Sequence, residues 1–217
     1  MATHSYMVLF HILLLVFWLG TDLGVFLAAK MSERGELSVE TRGSLMQLGM
    51  VLDRLPRTAV ILILPSGFTL ANNLGMVSLG SGALLGIWAA ALVWAAIMWA
   101  GFLKPQSAVE ALSHKVNFAL HIILVLALGY AAFTLWGTAP LWLSMKIVAI
   151  ALVLVCGIAL DITFKPAVIA FTDIMTNGAT PERDALYSKA IAPVYWWVIG
   201  IYICVLMATY FGVVKPA

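Results

Sequence analysis

The sequence predicts an all-α polytopic membrane bundle, six transmembrane helices forming one integral membrane domain over residues 1–217 with both termini external. Three observations carry this. Of the 217 residues 63% are hydrophobic and only 10% charged, against about 45–50% apolar and roughly a quarter charged in soluble domains. The apolar residues gather into runs of about twenty or more, the length a helix needs to cross a hydrocarbon core of roughly 30 Å. The runs also lack the alternation of barrel strands, and only helices and closed barrels satisfy the backbone in lipid. The expected surroundings are a lipid bilayer, read as a bacterial inner (cytoplasmic) membrane. A net charge of +2 is too small for a nucleic-acid footprint, so no nucleic-acid partner is expected.

The first predicted span covers 5–29. The N-terminal residues Met1-Ala2-Thr3-His4-Ser5 lack a basic n-region, and the apolar run is too long for the core of a signal peptide, so it is expected to stay as a span. The stretch 30–56 carries Glu33, Arg34, Glu36, Glu40, Arg42, Asp53 and Arg54. Within it, 44–52 is apolar enough to run along an interface or to begin the second span early. The second and third spans are predicted at 57–77 and 82–103. Ser107-Ala108-Val109-Glu110 has the spacing of a capping box, which predicts that the fourth helix, 108–136, starts in water. The fifth is predicted at 141–164 and the sixth at 190–214, with Asn177-Gly178 and Pro181 marking the loop between them.

Ten basic residues fall into alternate connections: Lys30, Arg34, Arg42, Arg54 and Arg57, then Lys104 and Lys115, then Lys165, Arg183 and Lys189. The connections 72–81 and 137–140 carry no charge. This places the basic connections in the cytoplasm and the termini outside, with Tyr6, Trp136, Trp142 and Tyr210 in the external aromatic belt.

Several chemistries have no signature here. There is no phosphate-binding glycine loop, His-Glu-x-x-His, Cys-x-x-Cys or serine elbow. Cys156 and Cys204 both lie in apolar runs, where a thiol reads as a small hydrophobe. The ten methionines are scattered without the clustering of a copper relay. Trp88, Trp94 and Trp99, and Tyr195-Trp196-Trp197, read as interface anchors or as the wall for a flat aromatic ligand. Leu9-Phe10-His11-Ile12 is echoed by Ala119-Leu120-His121-Ile122. If spans one to three and four to six are repeats, their odd number makes them inverted.

Ionisable residues inside spans are functional candidates because each costs at least ~2.5 kcal/mol to insert at a helix centre. Counting ~1.5 Å per residue, His11 and Lys146 share an outer layer, about 6 Å inside the outer edge. His121, Asp22 and Asp161 share an inner layer, with His121 roughly 8 Å above the inner edge. His11 and His121 would then differ in depth by about 16 Å, too far to ligate one iron, whereas His11 and Lys146 stand at one height. The alternatives stay open. Lys146 can snorkel to the headgroups while His11 hydrogen-bonds to a neighbouring helix. His121 can serve a proton path with Asp22 and Asp161, bind a metal, or make a structural contact. Asp53, Arg54 and Arg57 read as a topology anchor with an internal ion pair, or as a grip for a carboxylate or phosphate.

The residues from Leu9-Phe10-His11-Ile12 to Phe17-Trp18-Leu19-Gly20-Thr21-Asp22-Leu23-Gly24 resemble the first helix of the CopD-like integral membrane superfamily, which includes the HemJ-type protoporphyrinogen oxidases. Asp53-Arg54-Leu55-Pro56-Arg57 and Leu64-Pro65-Ser66-Gly67-Phe68-Thr69-Leu70 resemble its second helix, and Leu141-Trp142-Leu143-Ser144-Met145-Lys146-Ile147 the Trp-Leu-x-x-Lys entry to a later helix. Ser144 stands where HemJ-type proteins commonly carry His. The resemblance implies haem b, linked to His11 and Lys146. The expected function is a b-type haem protein passing electrons between a quinone or porphyrin-like reductant and an acceptor, with a haem-dependent oxidoreductase resembling protoporphyrinogen oxidase as its enzymatic form. His11 would be the axial ligand, Lys146 the second ligand or a propionate partner, and a redox protein or a second copy of the chain a compatible partner. The alternatives are a permease for copper or a small solute, and a non-catalytic anchor subunit of a redox complex.

Overall fold

The structure, a computed structural model, describes residues 2–216. Among these are seven helices and no strand: α1 (Ala2–Ser32), α2 (Val39–Leu52), α3 (Arg54–Asn73), α4 (Ser81–Leu103), α5 (Ala108–Leu135), α6 (Leu141–Asn177) and α7 (Pro181–Val213). Five of them, α1, α4, α5, α6 and α7, are long and apolar enough to cross a membrane. The chain is thus an all-helical integral membrane protein. Much of its apolar surface faces outward, as at Leu85, Leu126, Phe133 and Trp196, each more than two-thirds exposed, as expected where the solvent is lipid.

The helix now seen at 54–73 was predicted as the second span at 57–77. At 20 residues α3 is about 30 Å long, but Arg54, Arg57, Pro65, Ser66, Asn72 and Asn73 make it less apolar than the other five. It is also strongly buried, with Ala59, Ile61 and Ser66 almost wholly covered by protein. The apolar stretch 44–52 belongs to a helix of its own, α2, joined to α3 only through Asp53, which itself keeps right-handed helical geometry. Pro56 lies in the first turn of α3, where a missing N–H breaks no intrahelical bond.

The largest difference from expectation concerns the last two helices. The predicted stop at 164 and start at 190 leave a connection of 25 residues, whereas α6 runs on to Asn177 and α7 begins at Pro181. Hydropathy reports where a helix leaves an apolar environment, and backbone hydrogen bonding continues past that point. Gly178, with φ +82°, ends α6 and donates its N–H to the Ile174 carbonyl. Thr180 caps α7 by accepting from the Arg183 N–H at 3.3 Å, Pro181 opens the helix, and Glu182 and Asp184 sit in the first turn, where carboxylates favour the helix dipole. At 37 residues, α6 is about 55 Å long, well beyond the thickness of a hydrocarbon core.

The chain divides into two compact units, Met1–Ala29 with Met46–Asn117, and Lys30–Leu45 with Phe118–Ala217. In the first, α3 packs along α4, and the core holds Trp18, Ile61, Trp94 and Met98. In the second, α6 and α7 form an antiparallel hairpin whose contacts descend one helix as they climb the other: Asp173 with Arg183, Phe171 with Tyr187, Cys156 with Gly200, and Lys146 with Gly212. The cap at α5 departs partly from the box predicted for it. Ser107 Oγ accepts the Glu110 N–H at 3.3 Å, but the Glu110 carboxylate takes the N–H of Gln106 at 2.6 Å.

Candidate functional site

His11 is half-buried on α1, and its Nδ1 lies 2.8 Å from Ser66 Oγ on α3. Ser66 is fully buried and directs its hydroxyl toward the Leu62 and Ile63 carbonyls of its own helix, at 2.9 and 3.0 Å. With that hydroxyl directed to the backbone, Ser66 Oγ is placed to accept from His11 Nδ1 in the tautomer that carries its proton there. Gly67 lets the ring lie close: a Cβ there would stand 3.5 Å from His11 Cε1. Beside it, Phe10 and Trp88 are in tilted contact at 6.1 Å between centroids.

The three tryptophans of α4 are tied rather than gathered into one wall. Trp88 Nε1 donates to Thr69 at 3.0 Å, Trp99 Nε1 to Thr58 at 3.1 Å, and Trp94 Nε1 to Asn117 at 3.1 Å. Each threonine spends its own proton on the carbonyl four residues earlier, Pro65 or Arg54, and offers a lone pair to the indole. Near the start of α3, Arg57 Nε meets Asp53 Oδ2 at 2.6 Å, the internal ion pair foreseen for this segment. Arg54 lies over the Phe102 ring at 5.4 Å, with its Nε buried and without a hydrogen-bond partner. Asp22 is half-buried on α1.

In the second unit, His121 is buried on α5 and Asp161 half-buried on α6. Lys146 is half-buried, with its Nζ against Gly212 of α7, where a Cβ would approach to 2.8 Å. Lys215 stands over the ring of Trp142 at 5.3 Å. Ser144 is buried and donates to the Leu135 carbonyl at 3.4 Å. Tyr195 faces inward while Trp196 is 74% exposed, so these neighbours do not share a face. Among the described residues no group of three or more His, Cys, Asp or Glu side chains could hold a metal ion.

The most connected polar cluster was not foreseen. Arg42 of α2 is wholly buried; its Nε donates to the Ser32 carbonyl at 2.7 Å and its Nη1 to Asp184 at 2.7 Å, while Nη2 is buried without a hydrogen-bond partner. Ser32 Oγ and Tyr187 OH lie 2.8 Å apart. Glu33 accepts from Ser188 at 2.9 Å, from Tyr195 at 2.5 Å and from Lys30 at 3.1 Å. The ammonium of Lys30 also lies 3.9 Å from the Tyr195 ring centre. The sequence shows these charges only as members of connecting segments, where solvation is the ordinary expectation.

Comparison with protein-family models, with curated proteins and with solved structures finds no match for this chain.

Proposed function

We propose that the protein is a membrane-embedded b-type haem protein that passes electrons between a quinone or porphyrin-like reductant and an acceptor, with His11 as axial ligand. The observation that carries this reading is the bond between His11 Nδ1 and Ser66 Oγ. A histidine that ligates a metal almost always gives its other ring N–H to a second group, which fixes tautomer and ring direction. Ser66 is such a group, because the hydroxyl proton is directed to the backbone and the oxygen is left to accept. The adjacent Gly67, Phe10 and Trp88 suit an apolar, flat prosthetic group. Haem would supply one-electron redox chemistry.

The residues of this chain do the rest. His11 would hold the haem iron, and Ser66 would orient its ring. Lys146, whose Nζ lies against Gly212 within the second unit, would be a candidate to meet an iron or a propionate there. Arg54 is a second candidate for a carboxylate, since its Nε is buried without a hydrogen bond, whereas Arg57 is engaged with Asp53. His121, Asp22 and Asp161 are the candidates to move protons. In this reading α3 is a sixth span shielded from lipid by its neighbours, both termini are external, and the membrane is a bacterial inner membrane. The resemblance to the CopD-like superfamily supports the same assignment, with a soluble redox protein or a second copy as compatible partners.

The test is the absorption spectrum of the detergent-solubilised protein, oxidised and dithionite-reduced. A Soret band is expected, and His11→Ala should abolish or shift it while leaving insertion intact. Lys146→Met should change the spin state if Lys146 is a ligand, or only lower haem affinity if it pairs with a propionate. Wild-type protein reconstituted with hemin that shows no specific band would overturn the redox reading and favour a copper or small-solute permease.

A further inference from the structure

We infer that Thr69 of α3 and Trp88 of α4 are positioning residues for the His11 ring: the hydrogen bond between them closes a circuit of contacts that sets the direction of the imidazole. Their role is to serve the ligand that His11 holds and so rests on the haem reading, but the orientation of the ring can be measured without haem.

The circuit runs through five side chains of the first unit. His11 Nδ1 meets Ser66 Oγ at 2.8 Å, which fastens α1 to α3. Thr69 lies three residues beyond Ser66, on the same side of α3. Its Oγ1 gives its own proton to the Pro65 carbonyl at 2.8 Å and accepts the indole N–H of Trp88 at 3.0 Å, which fastens α3 to α4. The Trp88 ring lies against Phe10 with centroids 6.1 Å apart, inside the range of a favourable aromatic pair, and so returns to α1 one residue before His11. Two successive residues of α1, which point about 100° apart, are therefore gripped from different sides: Phe10 by α4 and His11 by α3.

A helix held at one residue can still roll about that contact. A second grip at a different azimuth removes the freedom, provided that the two gripping helices keep their spacing at that height. The Thr69–Trp88 bond fixes that spacing. A hydroxyl has one proton, and Thr69 has given it to the backbone, so its part is to accept. Without the hydroxyl the indole N–H loses its acceptor inside a span, where an unsatisfied donor is costly and the ring turns to find another. Phe10 then loses its backing and α1 can roll. Gly67 presents only backbone to the His11 ring, so no side chain at that position restrains it. A pair of the same chemistry stands outside the circuit. Trp99 Nε1 donates to Thr58 at 3.1 Å, and Thr58 gives its proton to the Arg54 carbonyl. It joins the same two helices eleven residues, or about 16 Å, along α3 from Thr69, and separates positioning of His11 from plain attachment of α4 to α3.

The test uses the full-length protein in detergent, without haem, treated with diethyl pyrocarbonate, which acylates imidazole nitrogen; mass spectrometry reads each histidine. His114, with a side chain 70% exposed, is the internal standard. Thr69→Val should raise the rate at His11 several-fold relative to His114, and Thr69→Ser, which keeps the hydroxyl, should retain the wild-type rate. Trp88→Phe keeps a ring and loses the N–H, so it should act like Thr69→Val and replaces it should that variant fail to insert. Thr58→Val should leave His11 unchanged. Hemin titration of the same variants follows: Thr69→Val should weaken binding by about tenfold, the lower end of the cost of losing an outer partner, and shift the Soret band. A rate at His11 that does not rise in Thr69→Val, or that rises equally in Thr58→Val, would overturn the positioning role. Wild-type protein without a haem band would instead overturn the haem reading, and the acylation rates would still decide whether Thr69 and Trp88 set the ring.

Discussion

Arg42 Nη1 donates to Asp184 Oδ1 at 2.7 Å across 142 positions of sequence, and the Arg42 side chain has no exposed surface. The pair ties the start of α2 to the first turn of α7, and the Arg42 Nε bond to the Ser32 carbonyl adds the end of α1. Removing the partly exposed carboxylate leaves the wholly buried Arg42 guanidinium uncompensated, so Asp184→Ala should destabilise the protein by about 3–5 kcal/mol. Arg42→Met with Asp184→Leu should cost less than Asp184→Ala alone, because no unpaired ion remains. Denaturant unfolding in mixed micelles reads the difference; equal losses in all variants would show that the pair is solvated.

Ser66 is expected to act on His11 rather than on the chemistry itself. Ser66→Ala removes the Nδ1 partner and frees the tautomer, so it should lower haem affinity about 10–100-fold, the usual cost of losing such an outer partner. Ser66→Thr, which keeps the hydroxyl, should restore most of it. Hemin titration followed at the Soret band measures both, and unchanged affinity in Ser66→Ala would refute the orienting role.

Gly101 and Ser113 set the approach of α4 to α5. A Cβ at Gly101 would lie 2.7 Å from Ser113 Cβ and 3.6 Å from Glu110 Cα, so relief needs movement of the backbone. Gly101→Ala should cost about 1–3 kcal/mol, the range for overpacking. Gly86, with open space around the same atom, is the control, and Gly86→Ala should be close to neutral or slightly stabilising in the same assay.

Orientation in the bilayer is testable by labelling single cysteines in a protein whose native cysteines are replaced. Gly35→Cys and Gly178→Cys should react only from the cytoplasmic side and Ser81→Cys only from outside. Labelling of Ser81→Cys from the cytoplasm would invert the topology drawn from the basic residues.

The five long apolar helices were legible because lipid demands a continuous run of hydrophobic side chains, which composition displays directly. The full length of α6 and α7 was not, since Lys165, Asp173 and Lys189 reduce hydropathy without interrupting the backbone ladder. His11 stood out as a polar residue in an apolar run. Its partner did not, because Ser66 lies 55 positions away, and only the rotational setting of α3 decides which of its polar residues faces α1. The burial of Arg42 was invisible for a similar reason: its carboxylate partner, the Ser32 carbonyl and the Ser32–Tyr187 pair come from distant segments, and none of them marks the arginine locally.

The indole bonds of α4 limit how the first unit can move. Trp88 and Trp99 are fastened to α3 at separate heights, and Trp94 is fastened on another side to Asn117. Turning α4 by a single residue, about 100°, would sever all three attachments at once, whereas carrying α3 along preserves two of them. Helix rolling is thereby suppressed, and α3 with α4 forms one mechanical element.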